Sequence, residues 1–400
     1  MKLLDTEVKN KVLDSMMKII DKRREEIIEA NKKDLNAFNR NDKALYDRLV
    51  VDESKVDGMI QAIKEVKVQE DPVGKTISEK TLESGLKIVN KTDPFGAILI
   101  IYESRPDVTI EAAVLAFKAN NKIFLKGGKE ANFSNKILVE CWHEALKENG
   151  LSESWIELLQ LNREETRNFL SNPPEKLDLI VPRGGERLIE FVKQNASCAV
   201  LVSGRGNNFL YVAPDADWNK SLNVIINAKT NKISGCNALD KVLLDENLPD
   251  FDAKAKELAT VLKNEFKVEV LVADKVESVL SEYAKIPAEG TWYEEFLALK
   301  IVIGSSPSFE QAVEKINKYS GGHSSVIITE DDKLALNFME QIDSAAVYQN
   351  ASSRFTDGGQ MGVGAELAIS TDKLHHRGPL GLKQLVTNKY YVWGDGHVRA

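Results

Sequence analysis

The sequence predicts an α/β protein with two open parallel sheets of the Rossmann-like kind and a β-hairpin set apart from them. Three observations carry that expectation. Buried-type apolar runs alternate with helical patterns from Pro94 to Val202, the same texture returns from Phe209 to Tyr348, and a stretch of period-two alternation, Val73 to Val89, precedes both. Strand–helix–strand alternation implies crossover connections and a parallel sheet covered by helices on both faces. A chain of 400 residues is long for a single core, so more than one domain is expected.

Val8, Val12, Leu13, Met16, Met17, Ile19, Ile20, Ile27 and Ile28 recur at helical spacing among charged residues, which predicts one amphipathic amino-terminal helix. A second helix is expected over Ser54 to Val66, and Val73 to Val89 reads as a hairpin projecting from the body. The first sheet draws strands from Gly96–Tyr102, Lys122–Leu125, Trp155–Leu161, Leu177–Val181 and Ala199–Val202, with helices over Val108–Lys118, Ala131–Lys147 and Glu186–Gln194. The second draws on Phe209–Val212, Val268–Val272, Lys300–Ile303, Ser325–Thr329 and Ala345–Tyr348, and Lys241–Leu244 is a further apolar run. Its helices are Asp217–Asn231, Phe251–Glu265 and Ser308–Tyr319, and Asn388–Trp393 reads as one added strand.

Composition narrows the partners. The chain is 43% hydrophobic and 28% charged, ordinary for a globular protein. Its net charge of −8 supplies no basic surplus to neutralise phosphates, so nucleic acid is not expected as a partner. Cys141, Cys198 and Cys236 are widely spaced with no C-x-x-C pair, which points to a reducing compartment. No signal peptide and no membrane span are visible, and a cytoplasmic location is expected.

Cys236 is the candidate nucleophile. It follows a helical segment in a polar loop between Gly235 and Asn237, where a core thiol would have apolar neighbours; the alternative is an inert packed thiol. Attack on an acyl carbon needs a thiolate and nearby N–H groups for the oxyanion. Lys126-Gly127-Gly128-Lys129 and Pro182-Arg183-Gly184-Gly185 each follow a strand and precede a helix, a layout that lets backbone approach an anionic ligand. Neither is a G-x-G-x-x-G or P-loop sequence. Arg105, in the turn Glu103-Ser104-Arg105-Pro106 after the strand ending at Tyr102, and Arg354 in Ser352–Asp357 are candidate anion binders. His323 stands among small polar residues before a strand. His375-His376 has poor spacing for a helical metal site, and no metal is expected.

These pieces occur in a specific order: Tyr102-Glu-Ser-Arg-Pro-Asp-Val108, Lys126-Gly-Gly-Lys-Glu-Ala131, Val181-Pro-Arg-Gly-Gly185, Asn227-Ala-Lys-Thr230 with Cys236-Asn-Ala238, Gly322-His323, Asn350-Ala-Ser-Ser-Arg-Phe-Thr-Asp-Gly-Gly359, Gly362-Val-Gly-Ala-Glu366 and His376-Arg-Gly-Pro379. The series resembles the γ-glutamyl phosphate reductase (glutamate-5-semialdehyde dehydrogenase) family of proline biosynthesis, in the aldehyde dehydrogenase superfamily. The likeness runs from Ile98 to Pro379. It implies an aldehyde dehydrogenase-like fold: an NADP(H)-binding domain over 1–201, a catalytic domain over 202–370, and an oligomerisation element from 73–93 and 371–400 that makes a homo-oligomer.

The resemblance also implies the chemistry. L-Glutamyl 5-phosphate would acylate Cys236 and release phosphate, and NADPH would reduce the thioester through a thiohemiacetal to L-glutamate 5-semialdehyde. Cys236 N–H would hold the oxyanion, with Ser104, Arg105, Asn237, His323 and Arg354 as oxyanion or substrate contacts. The cofactor would lie on Lys126, Gly127, Gly128, Lys129, Arg183, Gly184, Gly185, Glu294 and Phe296, with Glu295 as the other choice for the ribose carboxylate. Glutamate 5-kinase, which makes the unstable substrate, is the protein partner raised.

Two departures from aldehyde-oxidising relatives matter. Their water-activating glutamate is missing from Val202-Ser-Gly-Arg-Gly-Asn207, and Lys129 replaces an acidic ribose ligand, which favours the 2′-phosphate of NADP. The runner-up function is an NAD(P)-dependent aldehyde-oxidising dehydrogenase, and the next a scaffold that lost catalysis. Two departures from the reductase family itself are Asp240-Lys241 where Glu-Thr is usual, and Ser320-Gly-Gly-His-Ser-Ser325 where Gly-Ser-Gly-His-Thr-Asp is usual.

Overall fold

The computed structural model describes residues 2–38, 43–374 and 376–399, so His375 lies outside the described residues. The chain divides into two compact units, one of Met1–Val202, Gly362–Ala368 and Leu380–Ala400, the other of Ser203–Met361 and Ile369–Pro379.

The first unit opens with helices α1 (Thr6–Lys22), α2 (Arg24–Ala37), α3 (Lys43–Leu49) and α4 (Glu53–Val68). The amphipathic stripe expected to make one helix makes two. Arg23 leaves helical geometry (φ −96°, ψ 16°) and serves as the cap between α1 and α2. Strands β1 (Thr76–Thr81) and β2 (Lys87–Pro94) form the expected hairpin, antiparallel and in register from Thr81↔Lys87 outward to a bulge at Thr76/Ser78. Then come β3 (Ala97–Tyr102), α5 (Pro106–Lys118), β4 (Lys122–Lys126), α6 (Asn132–Glu148), β5 (Ile156–Leu158), α7 (Arg163–Ser171), β6 (Leu179–Arg183) and α8 (Glu186–Asn195).

The sheet runs β5-β4-β3-β6, all parallel. Its centre shows the period-two rule directly. Ile98, Ile100 and Tyr102 of β3 join one core with the first helices, α5 and α6, while Ala97, Leu99 and Ile101 join another with Leu170 of α7 and Val192 of α8. The strand expected over Ala199–Val202 is a single bridge, Val200 to Ile180. Ile180 exchanges hydrogen bonds with Ala199 and Leu201 on the outer edge of β6, and the pairing ends there as the chain enters the glycine-bearing Val202–Asn207 segment. The Trp155–Leu161 strand is likewise shorter, because Glu153–Trp155 is a 3₁₀ turn capped by Ser152.

The second unit carries β7 (Asn208–Val212), α9 (Trp218–Thr230), β8 (Leu239–Asp245), α10 (Phe251–Asn264), β9 (Glu269–Val272), α11 (Val276–Val279), β10 (Ala284–Lys285), β11 (Lys300–Ser306), α12 (Phe309–Tyr319), β12 (Ser324–Ile328), α13 (Asp332–Gln341), β13 (Ala346–Gln349), β14 (Ile369–Ser370) and β15 (Gly378–Pro379). Seven parallel strands run in the order β10-β9-β11-β8-β7-β12-β13. Leu210 and Val212 of β7 face α9 and α10, whereas Phe209 and Tyr211 face α12 and α13. Both sheets are therefore doubly covered, which is why their strands read as unbroken apolar runs.

The last strand, β16 (Val386–Trp393), pairs antiparallel with β2 over its whole length, giving a three-stranded sheet β1-β2-β16 in the first unit. Among the described residues no helix is long and apolar enough to cross a membrane.

Candidate active site

The candidate residues fall into two groups, one in each unit. In the second unit α9 ends at Thr230 and β8 begins at Leu239, and Cys236 occupies the turn between them, half-buried and in no disulfide. The turn closes on itself through Gly235 N to Lys232 O (3.1 Å) and Ala238 N to Gly235 O (2.9 Å). Asn208, the first residue of β7, is wholly buried and holds the turn from below. Its Nδ2 donates to the carbonyls of Gly206, Cys236 and Ala238 at 2.9, 2.8 and 2.7 Å, and its Oδ1 accepts from Ser324 N at 3.0 Å. A Cβ on Gly206 would stand 2.0 Å from the Cys236 carbonyl oxygen, so only glycine lets the 203–207 segment pass beneath the thiol loop.

Arg354 lies beside this turn. Its Nη1 would be 2.7 Å from a Cβ on Gly235, and Asn231 Oδ1 accepts from its Nε at 3.5 Å. Burial pushes the guanidinium below its ordinary range, with the nearby Cys236 and Asp357 acting the other way. Asn237 fixes the segment that carries it: Nδ2 donates to the carbonyls of Arg354 (3.2 Å) and Thr356 (2.9 Å), and Ser353 Oγ donates back to Asn237 O (2.7 Å). The Asn237 amide nitrogen is thus committed to the backbone, and its Oδ1 is a buried acceptor without a hydrogen bond.

His323 is fully buried just ahead of β12. Burial pushes its imidazole down to about 4, which keeps it neutral at physiological pH. A chain of polar contacts leads away from it: His323 Nδ1 to Ser324 Oγ (2.8 Å), Ser324 Oγ to Thr356 Oγ1 (2.7 Å) and Thr356 Oγ1 to Tyr348 OH (2.8 Å). Its Nε2 has no hydrogen-bond partner. Glu294 is exposed and Phe296 half-buried on the loop before β11. Cys236, Asn208, His323 and Phe296 therefore stand at the amino ends of β8, β7, β12 and β11.

In the first unit the grouping is at the opposite ends of the strands. The turns after β3, β4 and β6 leave the carboxyl edge of neighbouring strands, and β3/β6 is where the strand order reverses. That is the usual ligand position in an open parallel sheet. Ser104 takes a positive φ of 36° and is tied to the next turn, its N and Oγ reaching Glu130 Oε1 at 2.9 and 2.6 Å. Lys126 is half-buried, with burial lowering its affinity for the proton and Glu130 opposing, and Lys129 is exposed. Gly185 opens α8 with no capping side chain of its own; its N–H donates to Glu103 Oε2 at 3.3 Å, and a Cβ there would meet open space.

Arg105 pairs with Asp107 at 3.1 Å, and Arg183 is 3.9 Å from Glu111. Burial alone would raise the Asp107 carboxyl, but Arg105 and Lys55 outweigh it and hold it low. Glu111 is pushed up by burial and by Asp107. The exposed Lys129 and the amino end of α8, which has no capping side chain of its own, fit a phosphate-bearing dinucleotide, while the Glu103 and Glu130 carboxylates lie against Gly184 and Gly128. Among the described residues no cluster of His, Cys, Asp and Glu could hold a metal ion.

Within the second unit the structure brings together Cys236, Asn237 and Arg354, with His323 joined through Ser324 and Thr356; within the first it brings together Ser104, Lys126–Lys129 and, across β3, Arg105 and Arg183. Asn208, Gly206 and Thr356 were missed by sequence reasoning. The available signal was a polar residue opening an otherwise apolar strand, Asn208-Phe-Leu-Tyr-Val212.

The chain matches the model of the aldehyde dehydrogenase family over residues 1–270. It is 43% identical to a γ-glutamyl phosphate reductase of Thermotoga maritima, over 98% of this chain and 94% of that protein. A crystal structure of γ-glutamyl phosphate reductase from Thermotoga maritima superposes with a TM-score of 0.94 at 41% identity, covering 99% of this chain and 95% of that one. A glyceraldehyde-3-phosphate dehydrogenase from Methanocaldococcus jannaschii, solved with NADP, shares the fold alone, with a TM-score of 0.67 at 18% identity over 98% of this chain and 91% of that one.

Proposed function

This chain belongs to the γ-glutamyl phosphate reductases of the aldehyde dehydrogenase family, and from that premise we propose that it reduces L-glutamyl 5-phosphate to L-glutamate 5-semialdehyde through a thioester on Cys236. The observation that carries this reading is the thiol turn itself. Cys236 is half-buried, seated by Asn208 and flanked by the Arg354 guanidinium, a cation suited to stabilising a thiolate or receiving an anionic substrate. The Cys236 thiolate attacks the acyl carbon, the C–O bond to phosphate breaks, and inorganic phosphate leaves with the bonding pair. Cys236 N–H is the oxyanion donor in this reading. Bound NADPH would supply a hydride to the thioester carbonyl; the resulting alkoxide expels the Cys236 thiolate and leaves as the aldehyde, and the one proton of the overall reaction goes to the released phosphate.

The segment 203–207 carries no carboxylate to activate water. Arg205 Nη1 donates to Tyr293 O, and Asn207 Nδ2 to the carbonyls of Trp292 and Tyr319, so its polar side chains brace neighbouring loops. A thioester there survives for phosphate exchange. Run in reverse with glutamate semialdehyde and NADP⁺, the enzyme is expected to reduce NADP⁺ only when inorganic phosphate is present. Phosphate-independent turnover yielding glutamate would instead establish the aldehyde-oxidising alternative.

Lys126, Lys129, the glycines at 127, 128, 184 and 185, and Arg183 are assigned to the dinucleotide, with Lys129 taking the 2′-phosphate and Glu294 and Phe296 the nicotinamide riboside. The β1-β2-β16 sheet is assigned to self-association. All of β1 is exposed, and β16 exposes Tyr390, Val392 and Trp393, so the ribbon buries little of its own surface and gains stability from a second copy.

A further inference from the structure

The strand that leaves the thiol turn begins Leu239-Asp240-Lys241, and both charged residues are buried. Buried charge is tolerated only when paired and hydrogen-bonded. Lys229 of α9 meets the first requirement, its Nζ 2.8 Å from Asp240 Oδ1 with both side chains essentially inaccessible. The other Asp240 oxygen does something different: it accepts the backbone N–H of Phe296 at 3.0 Å. Lys241 Nζ donates to the Glu294 carbonyl at 2.8 Å and stands 3.8 Å from the centre of the Phe296 ring. Consecutive strand residues normally point to opposite faces. Here the ladder with β7 slips between Asn208↔Leu239 and Phe209↔Lys241, a bulge at Asp240, and that irregularity lets both neighbours reach one loop.

We propose that Lys241 is a positioning residue which, together with Asp240, clamps the Glu294–Phe296 segment onto β8 and so presets the nicotinamide-riboside contact surface. The proposal rests on the assignment of that segment to the cofactor. The clamp is charge-sensitive. Burial pushes Lys241 down to about 7, Asp240, Glu294 and Glu295 hold it up, and Lys229 acts with burial. Lys300 of β11 and Lys229 face the same ring at 5.3 and 5.9 Å. Loss of the Lys241 proton leaves a weaker donor to Glu294 and removes the cation nearest the ring.

The test is direct NADPH binding, by fluorescence titration of the purified full-length protein without substrate, for the wild type, Lys241→Met, Lys241→Arg and Phe296→Ala. Lys241→Met and Phe296→Ala are each expected to raise Kd at least about fivefold, with Lys241→Arg within about twofold of wild type at low pH. Between about pH 6 and about pH 8.5 the wild-type Kd is expected to rise relative to that of Lys241→Arg, whose charge is fixed. For Lys241→Met, kcat at saturating NADPH stays within about twofold, the loss appearing in KM. If Phe296→Ala weakens NADPH and Lys241→Met does not, the clamp is overturned and the cofactor assignment stands. If Phe296→Ala binds as wild type, the cofactor assignment fails and the clamp with it. Should Lys241→Met not fold, Lys241→Gln takes its place, and a Kd within about twofold of wild type overturns the proposal.

Discussion

The chemistry proposed for Cys236 depends on its seat, and that seat is made by residues with no reactivity of their own. Asn208 spends both amide hydrogens on loop carbonyls, and Gly206 leaves the room in which that is possible. His323 belongs to the same buried polar layer, and its neutrality has a thermodynamic signature. Its folded-state affinity for the proton is depressed to about 4 from an ordinary value of 6.5, so below about 6.5 the unfolded chain binds a proton the folded chain refuses. Stability attributable to this residue is complete above about 6.5 and falls as pH drops toward 4, by roughly 3 kcal/mol in all. Denaturant titrations at several pH values are expected to show His323→Gln losing less stability on acidification than wild type. Identical pH slopes would mean that the folded-state imidazole protonates normally. The thiol was legible because Gly and Asn flank it in a polar loop. Its supports were not, because Asn208 and Thr356 lie far from Cys236 in sequence and only the strand order brings them to it.

At the scale of elements, most strands and helices could be read from apolar period, since both sheets are covered on both faces. The failures have physical causes. A continuous helical stripe hid the break at Arg23, because a cap residue need not interrupt the apolar period. The expected Ala199–Val202 strand had the right composition, but it found only one bridging position at the sheet edge. The βα turns of the first unit were visible as glycine–lysine and arginine–glycine junctions. The thiol turn obeys no such rule, since it sits at the amino end of β8, where ligands of open sheets are not expected. Lys129 lies exposed in the turn after β4. Lys129→Glu is expected to raise KM for NADPH by about tenfold, equivalent to roughly 1.4 kcal/mol, and KM for NADH by less than about twofold. Equal effects on the two cofactors would remove the 2′-phosphate assignment.

For the molecule as a whole, two separately cored units divide the proposed labour: one carries the turns assigned to the cofactor phosphates and the other the proposed nucleophile. The ribbon β1-β2-β16 adds a surface that a single copy leaves open. Val392 is 54% exposed there, and Val392→Glu is expected to lower the sedimentation coefficient from that of an oligomer toward that of one chain. A wild type that already sediments as one chain would refute the self-association reading. The division into sheets was legible in the alternation of apolar runs with helical patterns, and the added strand in Asn388–Trp393; the pairing of β16 with β2, 298 residues apart at Asn90 and Asn388, came from the family likeness. The central claim is the acyl-thioester. With glutamyl phosphate generated in place by a kinase and NADPH withheld, acid quenching and peptide mass spectrometry should find a γ-glutamyl group on Cys236, absent from Cys236→Ala and discharged by adding NADPH to the unquenched enzyme. A γ-glutamyl group on Cys141 or Cys198, or an unmodified Cys236 in enzyme shown to be active, would contradict it.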